Sequence, residues 1–127
     1  MLKKSDRERI DRAIGEAERG TTGLIIVRVV PDRKIDAMAR AKAEFAHFGL
    51  HRREARNAAL LLVAPNARQY ALFGDRALHE RVGDAFWTDV TTEFRRYLAY
   101  DQLVDGIVAV VGRLGAAFRE HFPDARP

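Results

Sequence analysis

The sequence predicts an α/β protein: a three-layer α/β/α sandwich around a small mixed sheet, with elements in the order α-β-α-β-β-α-α. Three observations predict it. Two aliphatic runs, Leu24 to Val30 and Ala58 to Ala64, are almost free of polar residues, as strands covered on both faces are. A segment with helical periodicity lies between them, so they should run parallel, joined by a right-handed crossover. The long segments at either end repeat apolar residues at helical rather than alternating spacing.

Each element follows from local signals. Ser5-Asp6-Arg7-Glu8 has the form of a capping box, and Ile10, Ala13, Ile14 and Ala17 make one apolar face behind it. Gly20 stops that helix, Thr21-Thr22-Gly23 turns, and the first strand runs from Leu24 with Arg28 as its single charge. Pro31-Asp32 ends the strand, and Asp36 can cap a second helix. Met38, Ala41, Phe45 and Phe48 are the expected inner face of that helix, and Gly49 its end. His51 to Asn57 is a polar loop. Pro65-Asn66-Ala67-Arg68 is a turn between Ala58–Ala64 and Gln69–Phe73, which should pair as a hairpin. Arg76 to Glu80 is a short helical turn. Val82, Phe86, Val90 and Phe94 step by four along a third long helix. Asp101 can cap the last helix, whose core face is Leu103, Ile107, Val110, Leu114 and Phe118, and Pro123 ends it.

Composition narrows the function classes. The 127 residues are most simply one domain, with 47% hydrophobic and 31% charged residues. There is no cysteine, which removes disulfides, thiolate metal sites and cysteine nucleophiles. The only serine, Ser5, sits at a helix start, so a serine nucleophile elbow is absent. The longest apolar run, Ala58 to Pro65, is far short of the ~20 residues of a membrane span. The N-terminus runs straight into charge, unlike a secretory signal, so a cytoplasmic protein is expected. The net charge of +4 is spread among interleaved acids, whereas a nucleic-acid footprint is one-sided. The one dense basic patch is His51-Arg52-Arg53 with Arg56, interrupted by Glu54.

Polar residues at the ends of buried strands are the candidates for a site. Asn57 precedes the second strand, Asp75 follows the third, and Asp84 opens the third long helix, with Glu80 nearby in sequence. The hairpin places Asn57 and Asp75 at the same end, opposite the Pro65 turn. Amide and carboxylate oxygens gathered there suit a hard cation, calcium or magnesium. The competing reading is that Asp75 and Asp84 simply cap helices. His47, His51, His79 and His121 form no metal pair, because Gly49 separates the two that have helical spacing. Gly106, Gly112 and Gly115 lie in a helical pattern and read as close helix packing, not as a phosphate loop. Phe86 belongs to the apolar stripe, and Trp87 lies one position off it.

The ordered set of these features resembles the TPM domain, a family named for a thylakoid lumen protein, a photosystem II repair protein and a nematode receptor-associated protein. The matching residues are Ala13-Ile14 with Glu16-Ala17-Glu18, Thr22-Gly23, Phe48-Gly49-Leu50, Arg56-Asn57 before Leu60-Leu61-Leu62-Val63, Gly74-Asp75, Val82-Gly83 with Phe86-Trp87, Gly106 and Phe122-Pro123. The chain is most similar to the short soluble bacterial branch. The resemblance implies an α/β/α sandwich and an acidic, cation-binding edge at the positions of Asn57, Asp75 and Asp84. It also implies the phosphatase label given to the plastid branch, although a shared fold does not carry a function. Two positions depart from the family pattern: Leu24 stands where a glutamate is usual, and Ala58 where glycine is frequent. The loss of a half-buried acid at Leu24 favours packing over catalysis.

The expectation is therefore a divalent-cation-binding interaction module for an unidentified protein partner, with Asn57, Asp75, Asp84 and Glu80 around the cation. The alternative is a metal-dependent phosphatase, with Arg56 or Arg76 holding phosphate. A weak nucleic-acid binder using His51 to Arg56 is the third reading.

Overall fold

The structure is a computed structural model that describes residues 2–124. The elements run α1 (Lys4–Glu18), β1 (Leu24–Val29), α2 (Ala37–His47), β2 (Ala58–Ala64), β3 (Gln69–Gly74), α3 (Arg76–Ala99) and α4 (Leu103–His121), with 3₁₀ turns at Leu50–Arg52 and Pro65–Ala67. This is the mixed α/β class and the element order that the sequence predicts. The chain divides into two compact units, Leu24–Arg81 and the remainder on either side of it.

The unit Leu24–Arg81 holds the sheet, in the order β1-β2-β3. β1 and β2 are parallel, with Leu24 beside Ala58 and Val29 beside Val63. β2 and β3 are antiparallel, from Ala59 beside Gly74 to Ala64 beside Gln69. All seven residues of β2 are buried, which is why it reads as an unbroken aliphatic run. The hairpin closes through Pro65–Ala67 and Arg68, whose φ of 52° is left-handed. Helix α2 starts where Asp36 accepts a hydrogen bond from the Ala39 amide at 3.1 Å. Its Ala41 and Phe45 pack with Val30, Leu60, Leu62 and Ala71, and Phe45 meets the Phe73 ring edge-on at 4.9 Å. Burying a side chain the size of Phe45 contributes about 1.5–3 kcal/mol.

The inner face of α2 differs from the sequence expectation. It is Ala37, Ala41, Glu44 and Phe45, while Met38 is 40% and Phe48 46% exposed. Met38 is about 100° of helix round from Ala37, at the edge of that stripe and in the first turn of the helix. Phe48 lies at the helix end, where Gly49 turns the chain at φ 68°.

In the other unit α1 packs on α4. A Cβ on Gly115 would lie 2.8 Å from the Ala17 Cα, and one on Gly106 would lie 2.9 Å from the Tyr97 Cβ. Both glycines therefore serve close packing as expected, whereas Gly112 faces open space. Ile107, Val110, Leu114 and Phe118 are buried; Leu103 is only half-buried. Two caps differ from the expectation. At the start of α1 the Asp6 carboxylate accepts from the Lys3 amide at 3.0 Å, so the helix begins ahead of Ser5 and the acid of the motif is Asp6, not Glu8. Asp101 does not cap α4: it takes a left-handed φ of 56° in the turn, and Gln102 precedes the helix.

Within α3 the backbone breaks at Gly83, with φ 77° and ψ 171°. The sequence reading of a short helical turn followed by a separate long helix corresponds to the two sides of that break. Side chains with a Cβ are strongly disfavoured in this conformation, which explains the glycine.

Candidate functional site

The open end of the β2–β3 hairpin is built by residues on both strands. The antiparallel ladder extends one pair beyond Ala59–Gly74: the Asp75 amide donates to the Ala58 carbonyl at 2.9 Å. Asp75 therefore stands across from the chain entering β2, and Arg56 lies two residues before that contact. Arg56 takes a left-handed φ of 50°. The conformation costs a non-glycine residue about 1–2 kcal/mol. It turns the Arg56 carbonyl toward the start of α3, where it accepts from the amides of Ala77 at 3.0 Å and Leu78 at 3.4 Å. The Arg56 side chain then grips Asp75 with two teeth: Nε donates to Oδ2 at 2.7 Å and Nη2 to Oδ1 at 2.9 Å. Asp75 Oδ1 also accepts the Arg76 amide at 2.8 Å, and the Asp75 carbonyl accepts the His79 amide at 2.9 Å. Asp75 thus satisfies the first helix amide, as the capping reading foresees, while most of its charge faces an arginine.

Asn57 beside it is fully buried, and its Oδ1 accepts from Arg53 Nη1 at 2.7 Å. Two arginines from one loop therefore hold the two buried polar groups of this corner. Burial pushes the Asp75 carboxyl up, but the bonds from Arg56 and from the Arg76 amide outweigh burial and hold it below the usual carboxylate range. It is an anion at neutral pH. The hydrogen bonds to Asp75 in turn push the Arg56 guanidinium further above its ordinary value.

The structure brings Asn57 and Asp75 to one end of the hairpin, as predicted. Glu80 is exposed on the helical turn after Asp75, and Asp84, also exposed, is the first residue past the Gly83 break. The Asp84 carbonyl accepts the Thr88 hydroxyl at 3.3 Å. A hard cation needs six or more oxygens at short range. Both Asp75 oxygens already accept from cationic or amide donors, so a cation there would have to displace Arg56. Among the described residues no group of three or more His, Asp or Glu could hold a metal ion. As arranged, the corner does not fit calcium or magnesium. Arg56, considered on sequence as a holder of phosphate, is bound to the very carboxylate considered as a cation ligand.

A second polar network escaped the sequence reading. Glu44, 9% exposed on the inner face of α2, accepts from Arg28 Nε at 2.6 Å and Arg40 Nε at 2.7 Å, and Arg40 reaches Asp32 at 3.2 Å. Burial pushes the Glu44 carboxyl up, and the two arginines outweigh it, leaving it lowered. The signal was present: Arg28 is the one charge in an aliphatic strand, and Glu44 sits directly before a core phenylalanine. The basic loop is also reassigned. His51 and Arg52 are exposed, whereas Arg53 and Arg56 are directed to Asn57 and Asp75. Phe86 and Trp87 stack edge to face at 5.1 Å, and both are half-buried.

Comparison with known proteins places the chain in a family. The family model of the TPM domain matches residues 1–117, and the chain belongs to the TPM domain family. Its structure is similar to that of the BA42 protein from the psychrophilic bacterium Bizionia argentinensis, with a TM-score of 0.90 and 25% identity over 99% of this chain and 87% of that one. It is also similar to the N-terminal domain of the cg2496 protein from Corynebacterium glutamicum, with a TM-score of 0.74 and 16% identity over 100% of this chain and 78% of that one. None of the curated proteins matches the chain. Among the described residues no helix is long and apolar enough to cross a membrane.

Proposed function

We propose that this TPM domain is an interaction module for a protein partner, and that arginine rather than a divalent cation orders its hairpin end. The observation that carries the reading is the two-toothed contact of Arg56 on Asp75, at 2.7 and 2.9 Å. A guanidinium occupies the position that a cation would need, matches the carboxylate in shape and charge, and requires no metal to do so. The corner is in this sense complete, and its role is to fix the loop from Leu50 to Asn57 against the start of α3. The cation-binding and phosphatase readings both require the same exchange, in which Asp75 releases Arg56 to accept a metal. The nucleic-acid reading draws on His51 and Arg52 alone, because the other two arginines of the patch point inward.

Thermal melts of EDTA-treated protein, titrated with calcium, magnesium, manganese and zinc, test this. The expected result is no saturable rise with any of the four, and a lower melting temperature for Asp75→Asn in EDTA itself. A saturable rise in the wild type that Asp75→Asn abolishes would overturn the reading in favour of a cation site.

A further inference from the structure

We propose that the open groove at the turn between α3 and α4 binds a carboxylate-bearing segment of a protein partner. This rests on the reading of the chain as an interaction module and gives that reading a surface and a partner class. The groove has a volume of about 320 Å³ and is lined by Glu93, Arg96, Tyr97, Tyr100 and Gln102. That size is at the lower end for ligand pockets and suits two or three residues of an extended peptide, not a whole helix.

The turn is a fixed frame. The amides of Tyr100 and Gln102 donate back to the Tyr97 carbonyl at 3.2 and 2.9 Å, and that of Asp101 to Leu98 at 3.1 Å. The absence of a side chain at Gly106 lets α4 approach the Tyr97 Cβ closely. The groove side chains therefore project from a rigid base, which lowers the ordering cost of binding.

Charge selects the ligand. The one acid in the lining, Glu93, is held by Arg113 at 2.9 Å. Arg96, exposed, makes no ion pair among the described residues. The groove thus offers a guanidinium fork, an amide and two phenols, a donor-rich set whose complement is a carboxylate. Tyr100 is 78% exposed, and its ring is a flat apolar surface beside that fork. A large aromatic and an unpaired arginine side by side are the residue types on which protein interfaces concentrate their binding energy. The ligand chemistry is an acidic residue flanked by a prolyl or aromatic ring that stacks on Tyr100.

The test uses the full chain, labelled with ¹⁵N and titrated with acetyl-Glu-Pro-Tyr-Glu-amide, with its neutral Gln-for-Glu analogue, and with a uridine hexanucleotide. The acidic peptide should move the amides from Arg96 to Leu103. Its affinity should fall at least about tenfold with the neutral analogue and in Arg96→Gln, the loss of a bidentate charge-assisted contact. Tyr100→Ala, at an exposed position, should weaken it while leaving the rest of the spectrum in place. Equal binding of the neutral peptide, or no effect of Arg96→Gln, overturns the proposal. So does a response to the oligonucleotide alone. Shifts confined to His51 and Arg52 would overturn the groove while leaving the interaction-module reading intact. Absence of shifts with any probe overturns the groove too, and the cation titration above tests the arginine-ordered hairpin end separately.

Discussion

Asp75→Asn is the sharpest perturbation of the corner, because it keeps the shape and removes the charge. Asp75 is 4% exposed, and its two oxygens accept three bonds, two from Arg56 and one from the Arg76 amide. The amide retains one accepting oxygen. Its NH₂ group then faces a guanidinium N–H, donor against donor, in a site with little water to relieve it. Hydrogen bonds to charged groups contribute about 1.5–3 kcal/mol each, and part of the set survives, so the expected loss is about 2–3 kcal/mol. In urea, where a small domain loses about 1–3 kcal/mol of stability per molar denaturant, this is a midpoint shift of about 1 M. The pH dependence carries a sign. The folded carboxyl titrates below its unfolded value, so its contribution is complete above that unfolded value, about 3.9, and is lost as pH falls through the folded one. The gap between wild type and variant should be full at neutral pH and narrow in acid. A loss below about 0.5 kcal/mol at neutral pH would refute the argument, as would a gap unchanged in acid, since either would mean that the charge is not what holds the corner.

Three further outcomes follow from the same structure. Glu44→Gln should cost about 1–3 kcal/mol in urea denaturation and show the same narrowing in acid, because Glu44 too is lowered by its arginine partners. Gly115→Ala should destabilise by about 1–3 kcal/mol, since its Cβ would meet the Ala17 backbone at 2.8 Å, whereas Gly112→Ala, with nothing within 4 Å, should stabilise by about 0.5–1 kcal/mol; thermal melts of the pair compare crowding with helix propensity directly. Gly83→Ala should cost about 1–3 kcal/mol through backbone strain alone, because φ is 77° and no atom lies within 4 Å of the new Cβ.

Much of the fold is legible in the residues because the strong signals are local or strictly periodic. The unbroken run at Ala58 to Ala64 declares a fully buried strand, Asp36 declares a helix start, and the Pro65 turn declares the hairpin. The hairpin in turn places Asn57 and Asp75 at one end. What the sequence conceals is which partner each charge selects. Asp75 reads equally well as cap, cation ligand or salt-bridge partner. The choice depends on Arg56 adopting a left-handed backbone, which its side chain gives no hint of. Arg28 and Glu44 are sixteen residues apart, and their pairing is visible only once α2 lies on the sheet. Met38 and Phe48 mislead for another reason. Hydrophobicity marks residues that can be buried, and these two lie at the ends of α2, in its first turn and at its C-cap. The pair Tyr100 and Arg96 carries no motif at all, and its meaning comes from the left-handed turn at Asp101 and the capture of Glu93 by Arg113.

The most direct test of the account observes the Arg56 side chain itself. In ¹H–¹⁵N spectra of the EDTA-treated protein, the Arg56 Nε–H should give a slowly exchanging, downfield-shifted resonance that is lost in Asp75→Asn and unmoved by millimolar calcium or magnesium. A resonance that shifts or vanishes saturably as the cation is added would show that metal replaces the guanidinium at Asp75, and would contradict the claim that arginine completes this site.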